Sequence, residues 1–168
     1  MDQDTLDAAQ ALLEICSRKK LMLAVAESCT GGLLAATLTA IPGSSHVLDR
    51  GFVTYSNEAK QQIGVSAATL ERYGAVSRET AEAMAKGVLA NAPVTLSAAI
   101  TGIAGPGGGT LDKPVGLVHF AVAASRSGKL VHHEHRYGEI GRAQIRSASV
   151  LHAINMLLQL ADGEDFPH

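Results

Sequence analysis

The chain has 168 residues, 46% of them hydrophobic and only 4% aromatic, a composition typical of a single α/β domain spanning residues 1–168 with an aliphatic core. A formal net charge of −2 without a Lys/Arg cluster argues against sequence-independent binding to nucleic acid, and no apolar run is long enough to cross a membrane. The two cysteines do not resemble a disulfide framework. The N-terminus is acidic and lacks a signal-peptide pattern, so we expect a cytoplasmic location.

The N-terminal half of the chain alternates between helical and extended patterns. Four residues at helical spacing predict an amphipathic first helix: Leu6, Ala9, Leu13 and Cys16. The entirely apolar residues 21–26 predict a parallel strand that is covered on both faces. A second helix is predicted to run from residue 33 to the break at Pro42-Gly43, and residues 51–55 predict a short strand.

Polar residues with N-cap propensity mark the starts of the next three helices. Asn57, Ser66 and Ser77 are predicted to cap them, because such side chains accept a hydrogen bond from a helix-start amide. The first of these helices is brief and contains Lys60. We therefore expect Lys60 to project from a first helical turn, close after Tyr55.

The C-terminal half predicts three strands, at residues 94–100, 115–124 and 130–137, of which the last two form an antiparallel pair. The last helix is predicted to start near Gly141. It is expected to bury one stripe of side chains: Ala148, Leu151, Ile154 and Leu158. The polar residues 162–165 are expected to fray. Helices that alternate with strands in this way are typical of an α/β fold.

Small polar residues begin where the first apolar strand ends, with Ser28 first among them. Ser28 would stand at the carboxyl end of a strand, where open α/β sheets bind ligands. Helix-start amides that lack partners are expected beside it, so a nucleophilic hydroxyl and an oxyanion site could share this turn. The neighbouring Cys29 is an alternative nucleophile, since a helix N-terminus lowers the pKa of a thiol. Ser, Thr and Gly are also ordinary cap and turn residues, and that interpretation stays open.

Three further patterns could contact a phosphate. The polar loop Pro42-Gly43-Ser44-Ser45 offers backbone amides and hydroxyls, although an ordinary loop is also a sufficient interpretation. The glycine-rich residues 102–109 permit close approach of a ligand to the backbone, although they lack the Walker lysine and lead into a strand instead of a helix. A flexible connection is an equally good interpretation of this loop. Arg142 and Arg146 lie four residues apart and so share one helix face, which favours either a phosphate clamp or a solvated face.

Three histidines lie close together near the end of the chain, at positions 132, 133 and 135. His133 and His135 share one face of a predicted strand and could ligate a metal. No acidic or sulfur ligand, however, stands at a spacing typical of a metal site. A polar face on an edge strand is the better interpretation, and no metal is expected.

Five short motifs follow one another in the first two thirds of the chain. They are Ala-Glu-Ser-Cys-Thr-Gly-Gly at 26–32, Pro-Gly-Ser-Ser at 42–45, Val-Thr-Tyr-Ser-Asn-Glu-Ala-Lys at 53–60, Gly-Ala-Val-Ser at 74–77 and Thr-Gly-Ile-Ala-Gly-Pro at 101–106. In this order they closely resemble the CinA C-terminal domain family, whose known activity is nicotinamide mononucleotide amidohydrolase. The resemblance implies a three-layer α/β/α sandwich with a mixed, mostly parallel sheet, and no cofactor. Two-domain members carry this module after a pyrophosphatase-like domain, and this chain resembles the stand-alone form.

The resemblance also implies site residues. Ser28 matches the nucleophile of the family, Lys60 matches its partner, and Tyr55 matches an assisting group. The residues expected to bind substrate are Thr30, Gly31, Gly32, Ser44, Ser45, Thr101, Gly102, Arg142 and Arg146. Many relatives have Gly-Asp-Arg before the last helix, whereas this chain has Ile140-Gly141-Arg142 and therefore lacks the acid.

Three hypotheses for function remain open at this stage. In the first, Ser28 and Lys60 hydrolyse the carboxamide of nicotinamide mononucleotide to nicotinate mononucleotide and ammonia, without a metal. In the second, the domain is a non-catalytic nucleotide-binding or interaction module of the same fold. In the third, Cys29 is the nucleophile of an amidase. All three expect a small-molecule partner, and a small α/β domain with edge strands often forms a homo-oligomer.

Overall fold

A computed structural model describes residues 1–164, which fold around one five-stranded sheet. The helices are α1 (Gln3–Lys19), α2 (Leu33–Thr39), α3 (Asn57–Gln62), α4 (Ala67–Tyr73), α5 (Arg78–Asn91) and α6 (Arg142–Gly163). The strands are β1 (Leu23–Glu27), β2 (Leu48–Val53), β3 (Leu96–Gly102), β4 (Leu117–Ala124) and β5 (Leu130–Arg136). A short 3-10 turn, Ser44–His46, lies between α2 and β2. None of the helices within residues 1–164 combines the length and the hydropathy needed to span a bilayer.

The strand order is β2-β1-β3-β4-β5. Strand β1 pairs parallel with both β2 and β3, whereas β4 pairs antiparallel with β3 and β5. All strands except β4 therefore run in the same direction. The carboxyl ends of β1, β2 and β3 meet at one edge of the sheet, which brings together the segments that follow them in the sequence.

Helices cover both faces of the sheet. Side chains of β3 alternate between the two cores: Leu96, Ala98 and Ile100 pack with α1, α2 and α6, whereas Ala99 packs with α5. The α5 side of the sheet is rich in alanine, which allows this helix to approach closely. The predicted three-layer α/β/α sandwich with a mixed, mostly parallel sheet is confirmed.

Helix α3, which carries Lys60, is held against α5 by a close backbone contact. A Cβ added at Gly87 on α5 would overlap the carbonyl oxygen of Ile63, the residue that follows α3. The side chain of Asn91 donates to the same carbonyl at 3.2 Å. Glycine at position 87 is therefore required for the position of α3, and with it of Lys60.

Several predicted boundaries differ from the structure. Strand β2 begins at Leu48, because an edge strand tolerates polar residues on its open side. Ser66 and Ser77 are confirmed as N-caps, but α3 is capped by Ser56, whose side chain accepts from the amide of Ala59.

The last helix differs most from the prediction. Of the predicted stripe on α6 only Ile154 is fully buried, because this helix packs against the sheet, α1 and α2 at once and so buries a broader face. Residues 162–164 do not fray: the Lys19 ammonium donates to the carbonyls of Asp162 and Glu164, and Glu164 is buried. Asp165 lies outside the described residues.

Candidate active site

Ser28 stands directly after β1, at the start of a tight turn. Its amide donates to the carbonyl of Ile100 at 2.9 Å, so its backbone extends the pairing between β1 and β3. The amide of Gly31 then donates to the Ser28 carbonyl at 3.0 Å and closes the turn. Gly31 (φ 57°) and Gly32 (φ 97°) both have left-handed backbone conformations, which favour glycine. The two glycines predicted to bind substrate thus shape the turn that presents Ser28.

Lys60 reaches Ser28 from the neighbouring strand-to-helix connection. Its side chain is 1% exposed, and Nζ donates to Ser28 Oγ at 3.0 Å and to the carbonyl oxygen of Thr54 at 2.8 Å. The amide of Thr54 in turn donates to the carbonyl of Glu27 at 2.9 Å, so the pairing of β2 with β1 fixes the distance between the two functional side chains.

The charge on Lys60 has no partner in the part of the chain that the structure describes. The ion pairs there join Arg50 to Asp49, Arg78 to Glu82 and Arg136 to Glu134, and none of them includes Lys60. Burial lowers the pKa of the Lys60 ammonium from its ordinary value. A buried lysine with a depressed pKa and without a counter-ion is suited to accept a proton.

The helix-start amides beside Ser28 are not free, which corrects the prediction from the sequence. The carboxylate of Glu27, itself 1% exposed, accepts from the amides of Gly32 at 3.2 Å, Leu34 at 2.9 Å and Ala35 at 2.9 Å. The amides of Gly31 and Leu33 donate to carbonyls within the turn.

Two amides of the turn remain for an oxyanion. Between Ser28 and Ala35, only the amides of Cys29 and Thr30 donate to no other group of residues 1–164. Both directly follow Ser28 in the sequence. Cys29 lines the cleft over Ser28, whereas Thr30 is fully buried, so a negatively charged oxygen formed at Ser28 would find its hydrogen-bond donor at the Cys29 amide.

An open cleft of about 260 Å³ lies over Ser28. Its walls include Ser28, Cys29, Tyr55 and Arg142, together with residues of the loop that follows β3. The Arg142 guanidinium donates to the Tyr55 hydroxyl and to the Gly105 carbonyl, both at 2.8 Å. A second cavity of about 300 Å³ shares Ala104 and Arg142 with the first. Arg142 is therefore the cationic group between two adjoining spaces, one of which is lined by Ser28.

Ser44 and Ser45 lie at the opposite edge of the sheet. The amide of Leu23, the first residue of β1, donates to the carbonyl of Val47 at 2.9 Å, so this loop lies at the amino end of β1. Ser28 follows the other end, about 16 Å away for a strand of this length. The prediction that both serines line the Ser28 site is wrong for a single chain, because the helix after Ser28 returns the backbone to the far edge. A cavity of about 410 Å³ at that edge, beside Gly43 and Arg18, contains no pair like Ser28 and Lys60.

Thr101 and Arg146 lie next to the cleft but not on its walls. Thr101 is fully buried and its hydroxyl donates to the carbonyl of Ala75 at 2.7 Å. Arg146 donates to the carbonyl of Thr30 at 2.8 Å, and Thr30 is fully buried. The predicted clamp of two arginines therefore does not form, and Gly102 and Arg142 are the predicted binding residues that reach the cleft besides Ser28 and Tyr55.

Cys29 is a poor candidate for the nucleophile. Its side chain is buried, and burial raises the pKa of the thiol to about 11. Lys60 bonds to the Ser28 hydroxyl instead of the thiol. Geometry and charge therefore both favour Ser28.

The histidines form two pairs, one between β5 and α6 and the other between β4 and β5. His133 Nδ1 lies 3.0 Å from His152 Nε2, and His119 Nδ1 lies 2.9 Å from His132 Nε2. Strand β5 is an edge strand, as predicted. Within residues 1–164 no three His, Cys, Asp or Glu side chains are arranged to hold a metal ion.

Gly141 replaces the acid of the Gly-Asp-Arg pattern and has φ 103°. A Cβ at this position would lie 2.5 Å from the side-chain oxygen of Gln144. The backbone here therefore suits glycine and not aspartate.

Sequence reasoning assigned no role to three groups of the site. The carbonyls of Thr54 and Gly105 belong to the backbone and leave no signal in the sequence. Glu27 did leave one, because it is the charged residue that ends an otherwise apolar strand.

Comparison with known proteins agrees with this architecture. A model of the CinA C-terminal domain matches residues 5–161. The structure is similar to the crystal structure of the competence/damage inducible protein CihA from Agrobacterium tumefaciens, with a TM-score of 0.93 and 52% identity over 95% of this chain and 97% of that one. A CinA superfamily protein from Klebsiella pneumoniae gives a TM-score of 0.90 and 32% identity over 96% of this chain and all of its own.

Curated relatives are longer than this chain. A CinA-like protein of a Synechococcus strain is 46% identical over 158 residues, which are 93% of this chain and 37% of the relative. The chain spans about a third of the length of the curated relatives that it matches. Since the family model and the solved structures both cover nearly the whole described chain, this protein belongs to the CinA C-terminal domain family.

Proposed function

We propose that this protein is an amidohydrolase that converts nicotinamide mononucleotide to nicotinate mononucleotide and ammonia. The observation that carries the proposal is the 3.0 Å contact between Ser28 Oγ and a Lys60 Nζ that is buried without a counter-ion. A serine hydroxyl is a weak nucleophile and needs a base within hydrogen-bond reach, which a neutral lysine supplies.

In the first half of the reaction, Ser28 Oγ attacks the carboxamide carbon and its proton passes to Lys60 Nζ. The neutral amine keeps one N–H on the Thr54 carbonyl, which orients its lone pair toward Ser28. The amide of Cys29 binds the oxyanion. The carbon–nitrogen bond then breaks and ammonia leaves with the proton from Lys60, which Tyr55 at the rim of the cleft relays.

In the second half, water hydrolyses the acyl-enzyme. Lys60 takes a proton from the water, the carbon–oxygen bond to Ser28 breaks, and Ser28 regains its proton. No step needs a redox change or a co-substrate other than water.

The substrate charges match the groups around the cleft. The positive pyridinium would help to keep Lys60 neutral, because like charges lower the pKa of an ammonium group. The phosphate would bind at Arg142, which is in no ion pair within residues 1–164 and stands between the two cavities.

Ammonia release from nicotinamide mononucleotide tests the proposal. We expect release that is unaffected by chelators and falls at least about 10³-fold in Ser28→Ala. Ser125→Ala is the matched control, because Ser125 follows β4 at the opposite edge of the sheet and should leave the rate unchanged. Full activity in Ser28→Ala would refute the assignment of the nucleophile.

The non-catalytic module is the second candidate, and the glycine at position 141 in place of an acid is the observation that favours it. Equilibrium binding of nicotinamide mononucleotide without ammonia release would select this candidate. Ammonia release by the unmodified protein that is lost in Ser28→Ala would exclude the non-catalytic module.

A further inference from the structure

We infer that Arg146 is a positioning residue that holds the oxyanion turn after Ser28 in its active geometry. It acts through the carbonyl of Thr30 and does not bind the substrate phosphate. The inference rests on the proposed serine mechanism, and it assigns to this arginine a role different from the one predicted from its spacing to Arg142.

A short relay of peptide groups connects the guanidinium to the free amide of Cys29. Arg146 Nη2 donates to the Thr30 carbonyl at 2.8 Å. That carbonyl belongs to the same planar peptide as the amide of Gly31, which donates to the Ser28 carbonyl at 3.0 Å. The Ser28 carbonyl in turn shares a planar peptide with the amide of Cys29. Fixing the first carbonyl therefore fixes the direction of the last amide.

The turn needs this support because its own sequence is permissive. Gly31 and Gly32 adjoin each other, and glycine restricts the backbone less than any other residue. The Glu27 carboxylate holds the turn on its helical side, at the amide of Gly32. Arg146 holds it on the other side, where its guanidinium lies 3.7 Å from the position of a Cβ on Gly31.

The charge of Arg146 is also available to the turn. The guanidinium is in none of the ion pairs formed among residues 1–164, and its Nε is buried without a hydrogen-bond partner there. A cation placed behind the donor amides stabilises a negative oxygen in front of them, and it does so most where water is excluded.

Kinetics of three variants test the inference. Arg146→Met should lower kcat by about 10²-fold, the loss typical of one oxyanion donor, and should leave KM within about threefold. Arg146→Lys keeps the charge and should recover at least about tenfold of that loss. Arg126→Met is the matched control, because Arg126 also donates to a backbone carbonyl, that of Lys20, but far from the cleft. It should match the unmodified protein.

The pH dependence separates positioning from damage to the base. The rise of kcat/KM with pH reports the ionisation of Lys60, so its midpoint should be the same in Arg146→Met as in the unmodified protein. A shifted midpoint, an equal loss in Arg146→Lys, or a rise in KM as large as the fall in kcat would overturn the inference.

A second readout does not depend on the identity of the substrate. A fluorophosphonate probe forms a Ser28 oxygen–phosphorus bond and loses fluoride, the serine proton passes to Lys60, and the phosphoryl oxygen occupies the oxyanion site. We expect labelling of Ser28, followed by mass spectrometry, to be about 10²-fold slower in Arg146→Met. If Arg146→Met does not fold, the labelling rates of Arg146→Lys and of Arg146→Gln replace it.

The outcomes of labelling separate the two proposals. If the unmodified protein is labelled at Ser28 but releases no ammonia from nicotinamide mononucleotide, the substrate assignment fails while the role of Arg146 is still decided by the labelling rates. Equal labelling in Arg146→Met overturns the role of Arg146 and leaves the proposed function intact. If Ser28 is not labelled in any form of the protein and no ammonia is released, both proposals are refuted.

Discussion

Removal of the Glu27 carboxylate should test how the turn after Ser28 is held. This carboxylate is 1% exposed and accepts three amides at the start of α2, at 3.2, 2.9 and 2.9 Å. Glu27→Ala leaves all three donors without an acceptor. The bond to the amide of Leu34 is fully buried, whereas the other two are only partly buried.

The expected loss of stability follows from these contacts. An unsatisfied buried donor costs about 1–3 kcal/mol, and each partly buried amide about 1 kcal/mol because water can reach it in the variant. Part of this is offset because the variant no longer buries a charge. We therefore expect Glu27→Ala to lower the free energy of unfolding by about 2–4 kcal/mol.

Urea unfolding followed by circular dichroism measures this change. With a slope of about 2 kcal/mol per molar urea, the midpoint should fall by about 1–2 M. Glu27→Gln is the matched control, since it keeps the volume and one acceptor oxygen and should lose about half as much. A change below about 0.5 kcal/mol in Glu27→Ala, or a larger loss in Glu27→Gln, would refute the role assigned to this carboxylate.

Three further predictions concern the base, the acid stability and the binding cation. Lys60→Met should lower ammonia release by about 10⁴-fold, yet leave the urea midpoint unchanged or higher, because an apolar side chain of similar length replaces a buried amine that has no counter-ion. A large loss of stability would contradict this description of the surroundings of Lys60. Burial lowers the pKa of His152 to about 4, below its ordinary value of 6.5. Between these two values the unfolded chain binds a proton that the folded protein does not, so the free energy of unfolding should fall as the pH drops from about 6.5 toward 4. In urea unfolding, His152→Gln should reduce this loss of stability between pH 6.5 and 4. An equal loss in both proteins would contradict the lowered pKa of His152. Arg142→Met should raise KM for nicotinamide mononucleotide at least about tenfold with a smaller change in kcat, whereas an unchanged KM would place the phosphate elsewhere.

The fold was predictable because local patterns decided it. The apolar residues 21–26 had to form a strand covered on both faces, and β1 pairs on both sides with its neighbours. Ser66 and Ser77 begin helices because each side chain bonds to an amide three residues later, a contact that depends only on the local sequence. Such interactions need no information from distant parts of the chain.

Local patterns did not predict where a segment lies relative to the sheet. Ser44 and Ser45 look like a binding loop in the sequence, but the return of the backbone after α2 puts them at the edge away from Ser28. Arg146 follows Arg142 at the spacing of a clamp, yet the packing of α6 directs it to the carbonyl of Thr30.

The sequence by itself determined the alternation of helices and strands and the position of Ser28 just beyond a strand. Only the tertiary structure decided that β2 lies beside β1, which places Lys60 3.0 Å from Ser28 across 32 positions of the chain. It also decided that Glu27 occupies the helix-start amides. The physical reason is that secondary structure follows from short-range hydrogen bonds and side-chain periodicity, whereas a buried lysine finds its partner through the order of strands, which depends on the packing of the whole sheet.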